Sequence, residues 1–485
     1  MVDRRTILAG LGASAAALAP WATQTSRPRE TTESRGSGLT LAQVDEYPSS
    51  DEYDSSRLQN AVDDAVARGL GGVSLGARTY EINVPVDIPP VRGFLIQGSE
   101  GVTILQRTAP GRTETAFRIA GQQQDVHENI RFDGLTFLGG MKNIDELGTR
   151  RARGSTDLSS NSDGDALVTW NDGVLSMAIS AFADRTPLWT TSGDADNNHG
   201  VVRNVSVTNC SFVGMQGLPV HLRGVRGYAA LTECYLRRSL DPGFVFCENV
   251  QFSGNLSEYS MDNGASISRG CERAVAVGNT IIGAWFSGIH IGGFVSRASV
   301  RATPAAAAGP HLAAVSANVI EACGEYGIRA SLSTGRLSIT GNTIIDSSPT
   351  SKSGRWSRSQ GVGVLVSGWS ARDRPRAVTI TGNTIDGAAR GGIICRNAEV
   401  ATISGNTVQA VGTGTFPDGK VRSGPPGTQA FGISHGSDDE SMAQSSVLLV
   451  TGNAISPAVD APSGWRAIFF PPGGKQLIEA NLSAR

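Results

Sequence analysis

Asp241 and Asp262 are carboxylates whose spacing could do chemistry. Each stands two residues before a glycine, Gly243 or Gly264, that opens an apolar stretch; Glu325 stands the same way before Gly327. In equivalent turns of neighbouring layers, the two aspartates would lie one strand spacing apart, about 4.8 Å. Like charges that close cannot both ionise cheaply, so one keeps its proton. The pair is then an acid and a base, or a site for a hard cation such as Ca2+. An aspartate before a glycine also serves simply to cap turn N–H groups.

Aligning the glycine-led stretches, such as Gly288-Ile-His-Ile and Gly327-Ile-Arg-Ala, turns alternate residues outward. One outward column reads Pro219, Val245, Ser266, His290, Arg329, Leu365, Ile394 and Ser434; a second reads His221, Cys247, Ser268, Gly292 and Ser331. His290 is the candidate proton-transfer group, and Arg329 could hold a substrate carboxylate through two parallel hydrogen bonds. His221, Glu258, Glu325 and Tyr326 are close enough in sequence to join them as binding residues. The plainer reading is that outward His and Arg are solvated surface residues.

What positions these residues is a repeat. Ile-Thr-Gly-Asn-Thr-Ile occurs at 339–344 and again at 380–385, with relatives around Asn255, Asn279, Asn318, Asn406, Asn453 and Asn481. The steps from Asn255 to Asn279, from Asn318 to Asn342 and from Asn383 to Asn406 are nearly equal. A period in the low twenties with strand-like alternation, and no room for a crossover helix, implies one coil of short strands per repeat: a parallel β-helix. Stacked asparagines would bond along the turn, each satisfying its neighbour.

The 485-residue chain has 60 glycines, 6% aromatics and a net charge of −2. This suits a turn-rich solenoid and gives no reason to expect nucleic acid as a partner. Residues 1–22 read as an export signal: Arg4-Arg5, a short apolar run from Ile7 to Ala19, and a small-residue cleavage site. The adjacent arginines point to twin-arginine export, with an ordinary secretory signal or an uncleaved anchor as alternatives. The expected location is the periplasm or the cell exterior, with no stable membrane span after cleavage. Residues 23–50 read as a disordered linker and 51–485 as the β-helix. Insertions are expected at about 141–200, 296–310, 347–360 and 413–429. Residues 54–67 carry apolar positions on one helical face, with Asp54 or Ser55 to start the helix and Gly69 to end it. It would cap the solenoid's open end. Cys210 and Cys234 fall at equivalent places, as stacked thiols or a bridge. Asp194 to His199 is an incomplete metal-loop pattern, and Trp189, Trp285, Trp356 and Trp369 could stack on sugars.

The cap helix, Gly71-Gly-Val-Ser-Leu, Arg78-Thr-Tyr and the Gly-Asn coils resemble the pectin-lyase-like superfamily over roughly residues 54–485. With Arg4-Arg5, the chain resembles the twin-arginine-translocated β-helix repeat proteins of bacteria, a family without an assigned activity. The resemblance implies an all-β, right-handed, single-stranded parallel β-helix with an N-terminal capping helix. It also implies a role in cleaving or binding an acidic polysaccharide, as a lyase, a glycoside hydrolase or a non-catalytic envelope protein. The export machinery would be a partner, and no cofactor is implied beyond the Ca2+ considered above. The Asn-Thr-Asp, Asp-Asp and Gly-His-Gly set of polygalacturonases is absent. Asp241-Pro242-Gly243 lacks the His of the Asp-Pro-His motif of mannuronan epimerases.

Overall fold

The computed structural model describes residues 39–49, 52–99, 101, 103–106, 113–120, 124–139, 175–183, 200–215, 217–268, 270–292, 310–331, 335–347, 361–368, 374–411, 431–435, 447–459, 465–469 and 475–483. Residues 1–22, most of the linker, and the bulk of the four expected insertions lie outside them. So do Asp194–His199, Trp189, Trp356 and Trp369.

Short strands run from one sheet to the next and repeat, giving three parallel sheets of 14, 12 and 13 strands among the described residues. The 14-stranded sheet is called here the first, the 13-stranded the second and the 12-stranded the third, in the order the chain visits them. Each strand pairs in parallel with its counterpart one coil away, for example Ala377–Thr381 with Val400–Ser404. The architecture is a single-stranded parallel β-helix. Its core is a continuous column of inward residues, from Phe94 and Phe132 to Ile403 and Val450. Near the N-terminal end Phe137 and Phe212 stack with ring centres 5.3 Å apart.

The repeated Gly-Asn has a backbone cause and a side-chain cause. Gly254, Gly278, Gly341, Gly382, Gly405 and Gly452 all have φ between 63° and 66°, the left-handed region where a Cβ is strained. The asparagine that follows turns inward. From Asn255 through Asn279, Asn318, Asn342, Asn383, Asn406 and Asn453 to Asn481, each Nδ2 donates to the next Oδ1 at 2.8–3.0 Å. Each Oδ1 also accepts the backbone N–H of the preceding asparagine, as Asn342 Oδ1 does from Asn318. Cys234 precedes the ladder, its N–H donating to Asn255 Oδ1 at 3.0 Å. All six cysteines are free and buried.

Ala317 occupies the glycine position before Asn318 and is held at φ 54°. Replacing it with glycine removes that strain, so Ala317→Gly is expected to stabilise the fold by about 1 kcal/mol, read as a higher chemical-denaturation midpoint. No change, or a loss, would refute this account of the turn.

The helix Ser55–Ala67 buries Leu58, Ala61, Val62 and Ala65 and packs against the first coil. Gly69, at φ 64°, follows its end. The helix starts as expected with Asp54 in the cap position, but neither Asp54 nor Ser55 makes a side-chain capping hydrogen bond. Ser55 Oγ accepts the Asn83 N–H at 2.9 Å, and Asp54 accepts the Glu81 N–H at 3.0 Å and the Arg78 guanidinium at 2.7 Å. These side chains fasten the helix to the first coil instead. Part of the stretch read as a linker also joins the fold. Ala42–Gln43 pairs with Val73 and Ser74, and Val44 is buried, because apolar Ala42 and Val44 gain more from the core than from water. Within 141–200, Leu175–Phe182 is a strand of the third sheet, flanked by Thr113–Ala120 and Val220–Arg223.

Candidate functional site

The outer face of the third sheet differs from that of the first. Outward residues of the first sheet such as Val275, Leu312, Val400 and Val447 are exposed, whereas outward Ser266, His290, Leu365, Ile394 and Ser434 of the third are buried. The chemistry-bearing residues gather here.

Register sets who neighbours whom. Ser180, His221, Gly243, Ser266, His290, Arg329 and Leu365 follow one another, one per coil. His221 therefore belongs to the same column as Ser266 and His290, not to the second one, and Gly243 takes the place expected for Val245. The placement of Gly243 comes from a change of spacing at one corner. Tyr235 pairs with Leu256 on the second sheet, while Gly243 pairs with Ser266 on the third, a longer step along the chain. The coil that carries Asp241 thus has two fewer residues in the turn between those sheets than the coils on either side, where Ser211 leads to His221 and Leu256 to Ser266 over the longer step. Counted from the third sheet, Asp241 and Asp262 do not stack as equivalents.

They are joined by Asn263 instead. Its Nδ2 donates to Asp241 Oδ2 at 3.2 Å and to Asp262 Oδ1 at 3.0 Å. Both bonds meet at one nitrogen, so those two oxygens are no farther apart than the two bond lengths laid end to end. Asn263 Oδ1 accepts the Ser287 N–H at 3.3 Å, which orients the amide with its NH2 toward the acids. The two carboxylates sit in unlike surroundings: Asp241 is 5% exposed, while Asp262 is only half-buried. Burial pushes Asp241 up to about 6, against the lowering effects of hydrogen bonds from Asn263, its own backbone and Ser266.

His290 is completely buried and its Nε2 lies 3.1 Å from Ser331 Oγ. Burial, and then the Arg329 charge on the next coil, hold its pKa well below the usual histidine range. It is a neutral imidazole. This corrects its expected role as a group that trades protons with bound substrate: no face of the ring is open, and charging it is costly. His221 is lowered to about 4, by burial first and Arg223 second, and its ring meets Phe182 edge-on at 5.2 Å. The Arg329 guanidinium lies over the Tyr326 ring, 5.3 Å from its centre. Tyr326, Val362, Leu365 and Ile394 form a small apolar cluster outside the main core.

Two expected members stand apart. Glu258 is on the second sheet, where it accepts from Tyr235 at 2.6 Å and lies 3.8 Å from Arg237. Glu325 is two coils beyond Asp262, because Phe286 intervenes: Phe286 N–H bonds Asp262 O, and Glu325 N–H bonds Phe286 O. Trp285 is buried at 8% exposure rather than presented to a ligand. Among the described residues no group of three or more His, Cys, Asp or Glu is placed to hold a metal ion. No helix among them is long and apolar enough to cross a membrane. Asn263 was missed from sequence, although Asp262-Asn263-Gly264 is itself a turn signature that carries it.

No family model and no curated protein matches the chain. Among solved structures, the A-module of a mannuronan C-5 epimerase from Azotobacter vinelandii aligns with TM-score 0.50 and 14% identity, over 91% of this chain and 99% of that one. Tailspike protein 3 of bacteriophage CBA120 gives 0.49 and 13%, over 100% and 67%. The surface adhesin PfbA of Streptococcus pneumoniae gives 0.45 and 14%, over 92% and 91%. The likeness is one of fold: this chain is a right-handed parallel β-helix with an N-terminal helix.

Proposed function

We propose that this chain is an exported protein that cleaves glycosidic bonds in an acidic polysaccharide, with Asp241 and Asp262 as its two working carboxylates. The observation that carries the reading is the pair itself: two acids of unequal burial, held by one amide through bonds of 3.2 and 3.0 Å. Retaining glycosidases place their carboxyls about 5–5.5 Å apart and inverting ones about 6.5–9.5 Å apart. Two hydrogen bonds laid end to end keep the two facing oxygens closer than the inverting range, and this closeness favours the retaining geometry. Asp241, protonated up to about pH 6, is the acid. It gives its proton to the leaving oxygen as the carbon–oxygen bond breaks. Asp262, the more open carboxylate, forms the new bond to carbon. Water then releases the sugar, returning its proton to Asp241.

Arg329, steadied over Tyr326, is the group for a substrate carboxylate. His290 shapes the floor as a neutral, buried ring, and His221 borders it one side of Gly243. Export rests on Arg4-Arg5 and the apolar run behind them. The epimerase named above makes a uronate polymer the first substrate to try. A second reading, binding without turnover, is favoured by how little of Asp241 reaches solvent.

The test is the chain on a panel of uronate and neutral polysaccharides, with new reducing ends and unsaturated-product absorbance both recorded. Asp262→Asn is expected to lower kcat at least about 100-fold. Because the Asn263 NH2 points at both carboxylates, a bridging cation would meet a donor there, and chelator or added Ca2+ is expected to change nothing. Unsaturated products would replace the hydrolase with a lyase. Binding without turnover, unaffected by the substitution, would favour the second reading.

A further inference from the structure

We infer that Asn263 is a positioning residue whose single amide nitrogen holds Asp241 and Asp262 as one acid–base unit. The inference deepens the cleavage mechanism proposed above and rests on that reading for its catalytic meaning, but its structural content stands alone. The side chain is 1% exposed, and every polar atom of it is used. Its Oδ1 takes the Ser287 N–H at 3.3 Å, and its two N–H bonds go to the two aspartates. The orientation follows: turned the other way, a carbonyl oxygen would face two carboxylates, and an NH2 would face a backbone N–H.

The surrounding backbone is tied down as well. Ser260 Oγ donates to the Asn263 carbonyl at 2.6 Å and accepts the Asp262 N–H at 3.3 Å. The corner is thus a built turn, and it faces a corner of the preceding coil that is two residues shorter.

A neutral bridging donor has two effects. It brings the carboxyls together without adding charge, which a lysine or a cation would do. It also stabilises the ionised form of each, opposing the burial that keeps Asp241 protonated. Remove the donor and burial acts on Asp241 unopposed from this side, while Asp262 loses the anchor that aims it.

Asn263→Leu is the cleanest variant: it nearly keeps the volume, removes both donors and adds no titrating group. Asn263→Ala removes the side chain altogether. Carboxyl carbons of labelled aspartate, followed by NMR across pH 4–8, are expected to show the Asp241 midpoint rising above its wild-type value of about 6 in both variants. An unmoved midpoint in a folded variant would overturn the inference. Should neither variant fold, the wild-type protein still tests it: the Asn263 NH2 resonances are expected to shift with pH, with the midpoint of Asp241. A flat response would sink the inference. Where wild type turns over a substrate, kcat is expected to fall about 100-fold with KM little changed. An absence of turnover in wild type would remove the cleavage reading and leave the titration result standing.

Discussion

Asn342→Ala is expected to cost about 4 kcal/mol of folding stability, well beyond an ordinary surface polar-to-alanine change. Asn342 is 1% exposed and sits mid-ladder. Its Oδ1 accepts both the backbone N–H and the Nδ2 of Asn318, at 3.1 and 2.8 Å. Its Nδ2 donates to Val315 O and Asn383 Oδ1, each at 2.9 Å. Alanine therefore takes the acceptor from the Asn318 N–H and Nδ2, and a donor from Val315 O and from Asn383 Oδ1, which keeps only the Asn342 N–H. Each orphaned buried group costs about 1–3 kcal/mol, partly relieved by relaxation. Thr379→Ala, at an exposed outward position nearby, is expected to stay within about 0.5 kcal/mol. Denaturant titration of the two variants decides it. A cost under about 1 kcal/mol at Asn342 would mean that the ladder is ornament and that packing alone specifies the coils.

Asp241→Asn is expected to abolish turnover and, at pH 7, to stabilise the fold by up to about 3 kcal/mol. The sign follows from burial. Asp241 titrates near 6 when folded against 3.8 in a free chain. Below about pH 4 both states are protonated, and the wild-type fold bears no penalty. As pH rises toward 6 the unfolded chain ionises first, so stability is lost across that window and stays lost above it. A difference of about two units is worth about 3 kcal/mol, at about 1.36 kcal/mol per unit. Asparagine has no such titration, and its carbonyl still accepts from Asn263. Thermal unfolding of wild type and variant from pH 4 to 7 should give curves that separate between about 4 and 6. Parallel curves would show that Asp241 is not a strained, buried acid, and its assignment as the proton donor would fall with that result. Separated curves with unimpaired turnover would retain the burial and move the acid elsewhere.

Much of this molecule could be read from residue order. Gly-Asn at a period in the low twenties contains both halves of its explanation: a left-handed turn that glycine tolerates, and an amide that bonds its own copy one coil away. Such a repeat has few alternatives, since no other arrangement satisfies so many turn amides at once. The apolar face of residues 54–67 likewise states that a helix covers something apolar. Asp241, Asp262, His290 and Arg329 were recognisable as candidates by type and by closeness to the repeat glycines.

What the order of residues could not state was register. Two missing residues in one corner, that of Asp241, put Gly243 rather than Val245 between His221 and Ser266 and leave the two aspartates out of step when counted from the third sheet. Asn263 then bridges them, a contact that depends on hydrogen bonds from a neighbouring coil. Burial was equally out of reach. Alternation tells which side of a strand a residue takes, but not whether that side meets solvent, so His290 read as an outward proton carrier and is an enclosed neutral ring. Local pattern determined the coil because the coil repeats. The site belongs to a place where the repeat is broken, and only the packed structure decides what a break brings together.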